Sequence, residues 1–172
     1  MSAIVFVDTN IFVYARDVDE PAKQPMAAEW IRTLWSEQRG RTSMQVLSEY
    51  FTTVTRKLEP GLPADEAWED VTALFAWEPQ EINRGVLVRA REIERRYLLN
   101  WWDALIVAAA QLQNCSLLLS EDLQDGFVCG PVSVRNPFAA RVAEEPGSYA
   151  SSTARVSRHR GRGRPRLETV AR

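Results

Sequence analysis

The chain has 172 residues, of which 45% are apolar, and is long enough for one domain with a substantial core. It contains 21 Lys and Arg, 23 Asp and Glu, and one histidine; its two cysteines, Cys115 and Cys129, exclude a disulfide framework and a cysteine-based zinc site. They are typical of semi-buried thiols in a reducing cytosol. Because the chain has no apolar run of 18 residues and no signal-peptide pattern, we expect a soluble, cytoplasmic protein.

The charge is distributed unevenly along the chain. Residues 1–154 have a net charge of −8, whereas residues 155–172 contain seven arginines and one acid, Glu168, for a net charge of +6. A stretch of small polar residues, Gly147 to Thr153, precedes the change. We therefore expect a folded domain over residues 1–143, followed over residues 144–172 by a flexible linker and a disordered Arg-rich tail.

Within the domain, apolar periodicity and breaker residues predict alternating strands and helices. In chain order, these are a strand at 3–8, helices at 11–15 and 23–38, a strand at 41–43, helices at 43–57 and 64–75, a weak strand at 77–81, helices at 83–97 and 101–113, and strands at 116–119 and 132–134. This alternation favours an α/β fold with a mainly parallel sheet that is covered by helices on both faces.

Acidic residues recur at four places in these elements: Asp8, Glu49, Asp103, and the group of Glu121, Asp122 and Asp125. Three of the four places are strand ends or helix starts, where α/β folds form clefts. Two carboxylates about 4 Å apart repel each other by roughly 4 kcal/mol at an effective dielectric constant near 20. A hard cation such as Mg²⁺ or Mn²⁺ relieves that repulsion, polarises a phosphoryl oxygen and activates bound water. The pattern therefore predicts a metal-dependent hydrolase of phosphodiesters.

Other catalytic machineries are missing from the sequence. The single histidine, His159, lies in the predicted tail, which excludes a Ser–His–Asp triad and paired-histidine catalysis in the folded domain. There is no glycine-rich phosphate loop and no Gly-x-Ser-x-Gly elbow. Carboxylates with a metal ion are the chemistry that remains.

The acids lie in four segments: Val7 to Asn10, Ser43 to Tyr50, Trp102 to Ala110 and Leu118 to Gly126. Together these segments resemble PIN-domain ribonucleases, most closely the VapC-type toxins of toxin–antitoxin modules. A further segment, Arg135 to Phe138, is similar to the end of many such toxins. The resemblance covers residues 3–138 and preserves the order and spacing of the motifs.

The resemblance implies a three-layer α/β/α sandwich, a Mg²⁺ or Mn²⁺ site and endonucleolytic cleavage of RNA. Residue by residue, it implies that the catalytic acids are Asp8, Glu49, Asp103 and Asp122, with Asp8, Asp103 and Asp122 as metal ligands and Asp125 as an auxiliary acid. Glu121 is expected to face solvent. Thr9, Asn10 and Ser120 are expected to support the acids by holding backbone turns and orienting the carboxylates or bound water, without being ligands themselves. The family also implies a homodimer and a small cognate antitoxin.

Each acid also has a purely structural interpretation. Asp8 at a strand end is compatible with a turn or a helix cap. The face that Glu49 occupies is left open, because an isolated helical glutamate is usually solvated. Asp103 near a helix start would stabilise that helix by about 0.3–1 kcal/mol through the macrodipole.

Caps and aromatic residues near the acids have similar alternatives. Asn10 and Ser43 are predicted to be helix caps. Trp101 and Trp102 are candidates for stacking on bases, but at least one of them is expected to pack in the core or in a dimer interface.

The predicted tail contains a basic motif. Gly161 to Arg166 resembles an AT-hook, whose arginines enter the minor groove of A·T-rich DNA. The alternative is an unstructured extension that contacts any polyanion, RNA included. Both interpretations make the tail arginines candidate nucleic-acid-binding residues: Arg160, Arg162, Arg164 and Arg166.

Two rival functions belong to other classes. A phosphatase with Asp8 as nucleophile would normally have a second Asp two residues later, where this chain has Asn10. A catalytically idle protein that keeps the fold for dimerisation or nucleic-acid binding would not need all four acids. A PIN-domain nuclease that processes RNA without being a toxin is the third alternative.

Overall fold

The structure is a computed structural model, and it describes residues 3–139. In this range, five strands form one sheet with six helices around it. The strands are β1 (Val5–Val7), β2 (Gly40–Arg41), β3 (Leu117–Leu119), β4 (Val128–Cys129) and β5 (Val132–Arg135). The helices are α1 (Thr9–Arg16), α2 (Gln24–Ser36), α3 (Met44–Arg56), α4 (Ala64–Ala73), α5 (Arg84–Tyr97) and α6 (Trp101–Leu112). The boundary predicted at residue 143 and the whole predicted tail lie outside the described residues.

The sheet has the order β2-β1-β3-β5-β4, and only the pairing of β4 with β5 is antiparallel. From β1, the chain first moves to one side to form β2 and then returns to the other side of β1 to form β3. Because parallel crossovers are right-handed, this reversal places helices on both faces of the sheet. The predicted α/β/α fold with a mainly parallel sheet is confirmed.

The core forms where the strands are apolar on both sides. Val5, Phe6 and Val7 are buried, as are Leu118 and Leu119 of the neighbouring strand β3. Every residue of α6 from Asp103 to Ala110 is buried, as expected for a helix that is apolar all round. No helix in residues 3–139 combines the length and apolar character needed to cross a membrane.

One predicted element is wrong, and one element was not predicted. Residues 77–81 do not form a strand: a 3₁₀ turn covers Leu74–Trp77, and Glu78 has a left-handed backbone with φ of 51°. Only a single bridge between Ser43 and Gln80 extends the sheet there. The two-residue strand β4 lies between the predicted strands at 116–119 and 132–134, where no element was predicted.

Candidate active site

Asp8 joins the carboxyl end of β1 to the first turn of α1. It is 1% exposed and is the N-cap of α1, since its Oδ1 accepts a hydrogen bond from the backbone N–H of Thr9 at 2.7 Å. Its Oδ2 accepts a second hydrogen bond from the hydroxyl of Ser120 at 2.8 Å. A buried carboxylate requires such partners, and the positive end of the helix dipole favours its charge. The cap interpretation of Asp8 is therefore correct, and it is compatible with a role in a site.

Ser120 connects Asp8 to the turn after β3. It is buried, and besides donating to Asp8 its Oγ accepts the backbone N–H of Asp122 at 3.2 Å and that of Leu123 at 3.4 Å. Asp122 itself is exposed. β1 and β3 are adjacent and parallel, and the chain continues from β1 to the β2 side of the sheet but from β3 to the β5 side. Asp8 and Asp122 therefore lie at the topological switch point, where open α/β sheets bind ligands.

Glu49 faces the same region from α3. Its Oε2 accepts the hydroxyl of Thr9 at 3.1 Å, and its Oε1 accepts the side-chain amide of Gln45 at 2.9 Å. The Gln45 amide also reaches the carbonyl of Trp102, at 3.5 Å. The sequence left open which face of α3 carries Glu49. In the structure, Glu49 is directed towards Thr9, the residue after Asp8, and not towards solvent alone.

Asp103 is the third residue of α6 and is 9% exposed. Its backbone N–H donates to Oδ1 of Asn100, the N-cap of the helix, at 3.0 Å, and the side-chain amide of Asn100 donates back to the carboxylate of Asp103. This reciprocal arrangement resembles a capping box, except that Asp103 accepts from the side-chain amide of Asn100 and not from its backbone N–H. The carboxylate of Asp103 is thus held at a helix N-terminus, one residue after the Trp102 carbonyl that Gln45 contacts.

The predicted auxiliary and cap residues differ in their outcomes. Ser43 caps α3, as predicted, with its hydroxyl accepting the N–H of Val46 at 3.3 Å. Asn10 is not a cap, because Asp8 already fills that position; its Oδ1 instead accepts the N–H of Glu121 at 3.2 Å. Asp125 is exposed and accepts the N–H of Asn136 at 2.8 Å, which ties its loop to the segment after β5.

The prediction that Glu121 faces solvent is wrong. Its side chain is only 25% exposed and forms an ion pair with Lys23, with Nζ at 2.5 Å from Oε1. The hydroxyl of Tyr14 donates to the other carboxylate oxygen. The reason is a contact between residues 98 positions apart, which no local pattern contains.

The two tryptophans at the start of α6 have different environments. Trp101 is partly buried and packs against the core, as expected for at least one of the pair. Trp102 is 46% exposed, next to Asp103. The four tail arginines proposed as nucleic-acid contacts lie outside the described residues.

Hydrogen bonds connect the neighbourhoods of all four predicted acids. One path runs from Asp8 through Ser120 to the backbone of Asp122. The other runs from Asp8 through Thr9, Glu49 and Gln45 to the residue that precedes Asp103. These hydrogen bonds therefore link the strand ends and helix starts named by the sequence into one network.

The donor atoms fit a hard cation, although the residues do not preassemble a complete cage. Within residues 3–139, no group of three or more Asp, Glu, Cys or His side chains is arranged to hold a metal ion by itself. Mg²⁺ is usually bound by one or two carboxylates with waters and substrate phosphates, so such a cage is not required. The buried carboxylates of Asp8 and Asp103 are oxygen donors of the kind that this ion prefers.

Two residues of this network were not identified from the sequence. Asn100 carried a usable signal, since an Asn three residues before an acid at the start of an apolar run is a capping-box pattern. The only sequence signal for Gln45 is its spacing of one helical turn from Glu49, and this spacing does not reveal the contact with Trp102. Long-range contacts of this kind become visible only in the folded chain.

Comparison with known proteins gives the same architecture. Two solved structures are similar in fold: a toxin–antitoxin complex from Klebsiella pneumoniae, with a TM-score of 0.55 and 19% identity, and VapBC2 from Rickettsia felis bound to a DNA fragment from their promoter, with a TM-score of 0.50 and 17% identity. Each alignment covers 77% of this chain and 97% of the other. No curated protein matches the chain.

The family comparison is more direct. The family model described as PIN domain matches residues 5–124, a range that begins in β1 and ends in the turn after β3. It includes Asp8, Glu49, Asp103, Glu121 and Asp122, and it ends one residue before Asp125. On this match over more than half of its length, the chain belongs to the PIN-domain family.

Proposed function

We propose that this protein is a divalent-metal-dependent endoribonuclease that hydrolyses RNA phosphodiesters at the acidic site around Asp8. Family membership supports a nuclease. The observation that carries the proposal is the buried Asp8 carboxylate at the switch point of the sheet, held by Thr9 and Ser120 and connected through them to Glu49 and Asp122. An acid that only capped a helix would not need links to two further acidic segments.

The proposal assigns Asp8, Asp103 and Asp122 as ligands of Mg²⁺ or Mn²⁺. When bound, such an ion polarises a phosphoryl oxygen and lowers the pKa of water. The hydrogen bonds from Thr9 and Ser120 fix both oxygens of Asp8, so that its carboxylate does not have to reorganise when the substrate arrives. A titration of the purified protein with the metal ion determines whether one or two ions bind.

Glu49 is assigned a different task. With Thr9 on one carboxylate oxygen and Gln45 on the other, it is oriented to accept the proton of the attacking water or to position that water in line with the scissile bond. The reaction needs no 2′-hydroxyl, so single-stranded DNA is a second substrate to test beside RNA.

The biological role that we propose is that of a VapC-type toxin, paired with a small cognate antitoxin and acting as a homodimer in the cytoplasm. The similarity in fold to a toxin–antitoxin complex and to VapBC2 supports this role. The alternative within the same family is a nuclease that processes RNA. Coexpression with the product of the neighbouring gene separates the two, because only a toxin is neutralised by it.

Cleavage of labelled RNA by the purified protein in Mn²⁺, Mg²⁺ and EDTA tests the nuclease. Asp8→Asn and Asp103→Asn should each abolish cleavage, whereas Asp65→Asn, at an exposed position in the first turn of α4, should leave it unchanged. Equal activity in all variants and in EDTA would identify a contaminant. Metal binding without cleavage of RNA or DNA would favour the binding-protein alternative, and a phosphorylated Asp8 would favour the phosphatase.

A further inference from the structure

Three side chains from distant parts of the chain meet beside the acidic site. They are Tyr14 on α1, Lys23 just before α2 and Glu121 in the turn after β3, and we refer to them as the Glu121 clamp. Nζ of Lys23 donates to Oε1 of Glu121 at 2.5 Å, and the hydroxyl of Tyr14 donates to Oε2 at 2.5 Å. Lys23 also donates to the Tyr14 hydroxyl at 3.1 Å, which closes a triangle of hydrogen bonds.

The clamp differs from an ordinary ion pair on the surface. Its Lys23 and Glu121 side chains are 27% and 25% exposed, and Nζ of Lys23 lies 4.3 Å from the ring centre of Tyr14 and 5.6 Å from that of Phe138. Burial by itself would lower the pKa of Lys23, but the hydrogen bonds to Glu121 and Tyr14 raise it. Exposed pairs contribute about 0–1 kcal/mol because water and salt screen them. Partial burial and the two aromatic rings reduce this screening at the Lys23–Glu121 pair.

The position of the clamp in the chain gives it a functional consequence. Glu121 lies between Ser120, which donates to Asp8, and Asp122, whose N–H donates to Ser120. Its own N–H is bound by Asn10 on α1 at 3.2 Å, so both its backbone and its side chain are fixed to the α1–α2 region. Movement of Glu121 therefore moves the residues on either side of it.

We propose that the Glu121 clamp positions the turn Ser120 to Asp122, and through it the Asp8–Ser120 hydrogen bond, for the reaction at the acidic site. Both oxygens of Glu121 bind side chains of the α1–α2 region, Tyr14 and Lys23, and on this basis we assign Glu121 as a positioning residue. This inference rests on the proposed nuclease function only for its effect on catalysis. The effect of the clamp on the turn is a property of the apo protein.

Hydrogen–deuterium exchange of the apo protein tests the structural part. In Lys23→Met and Glu121→Gln, the amides of Glu121, Asp122 and Leu123 should exchange at least about 10-fold faster than in the wild type, because local opening becomes easier. Arg32→Met removes an exposed ion pair with Glu29 on the neighbouring helix α2 and should leave these amides unchanged. If Lys23→Met does not fold, Tyr14→Phe removes one hydroxyl from the clamp without changing its packing.

Steady-state cleavage of RNA tests the catalytic part. Loss of the clamp should lower kcat by about 10-fold or more with little change in KM, since a displaced acid misaligns the reacting groups. Lys23→Arg should restore part of kcat. The double variant Lys23→Met/Glu121→Gln should be no worse than the poorer single variant, because both substitutions break the same contact.

The exchange and kinetic measurements together distinguish failure of the positioning role from failure of the proposed nuclease function. Unchanged exchange in the clamp variants would overturn the positioning role, whatever the activity. Faster exchange with an unchanged kcat would show that the turn does not limit the reaction and would overturn the catalytic consequence. If the wild type cleaves no RNA, the proposed function fails, and the exchange experiment still decides whether the clamp holds the turn.

Discussion

The indole ring of Trp77 occupies the space in which a side chain at Gly40 would lie. A Cβ built on Gly40 would be 2.5 to 2.6 Å from three atoms of that ring. The ring cannot easily move, because Trp77 is buried and its ring centre lies 5.8 Å from that of Phe12 and 5.6 Å from that of Trp35. Strand β2 can pass this close to Trp77 only with a glycine.

The first prediction follows from this contact. Gly40→Ala should lower the free energy of unfolding by about 1–3 kcal/mol, the usual cost of overpacking a core. Urea denaturation of the purified protein measures it. In the background of Trp77→Leu, the same substitution should cost much less, since the ring is gone. An equal cost in both backgrounds would mean that the strain comes from the backbone of β2.

A second prediction separates the chemical from the structural role of Asp8. Asp8→Asn should abolish cleavage and leave the apo fold as stable as the wild type or slightly more stable, because Asn still accepts from Thr9 N–H and no longer adds charge to the acidic site. Asp8→Ala should abolish cleavage and also cost about 1 kcal/mol, since it removes the cap. Thermal unfolding in EDTA measures both. A large loss of stability in Asp8→Asn would make the charge of Asp8 structural.

Ser120→Ala provides a third prediction. It removes the donor to Asp8 and the acceptor for the N–H groups of Asp122 and Leu123. Stability should fall by about 1–3 kcal/mol because the bonds to Asp8 and Leu123 are buried. The kcat of RNA cleavage should fall as well, since one oxygen of Asp8 loses its fixed partner. Chemical denaturation and cleavage kinetics of the same preparation test both effects, and an unchanged kcat would exclude Ser120 from the support of Asp8.

The cysteines give a prediction that depends on pH. Burial raises the pKa of the Cys115 thiol from its ordinary value of 9.0 to about 12. The folded protein then holds this proton more tightly than the unfolded chain does. The corresponding stabilisation is present below pH 9 and is lost as the pH rises towards 12. Urea unfolding near pH 8 and near pH 10 should show a decline that is smaller in Cys115→Ala, and native Cys115 should resist thiol reagents at pH 8.

The last prediction concerns the Arg-rich tail. If the tail draws RNA towards an otherwise acidic domain, truncation after Ser152 should raise the apparent KM and weaken its dependence on salt. Cleavage at several concentrations of NaCl measures this for the full chain and the truncated chain. Equal KM values at all salt concentrations would exclude a role of the tail in substrate binding.

The fold was predictable because its strands and helices are coded locally. The run of Val5, Phe6 and Val7 is apolar without alternation, which is typical of a strand buried on both faces, and the cap at Ser43 and the apolar length of α6 could be read directly. The strand predicted at 77–81 failed because the buried side chain of Trp77 resembles a strand residue, whereas the left-handed backbone at Glu78 has no sequence marker.

The site was predictable only as a set of acids and not as a network. Spacing along the chain brought out Asp8, Glu49, Asp103 and Asp122, but it left the orientation of Glu49 open and placed Glu121 in solvent. Both points depend on partners that are 40 and 98 positions away, Thr9 and Lys23. Such pairs are created by the crossovers of the sheet and have no local signature.

The contact between Asp8 and Ser120 spans 112 positions of the chain. A ribosome therefore synthesises most of the domain before the partner of Asp8 exists, and no nascent chain that ends before β3 can contain the completed site. Local helices such as α1 can form early, but the pairing of β3 with β1 has to wait for the last third of the domain. Under the proposed function, this order delays completion of the nuclease site until nearly the whole domain has been synthesised.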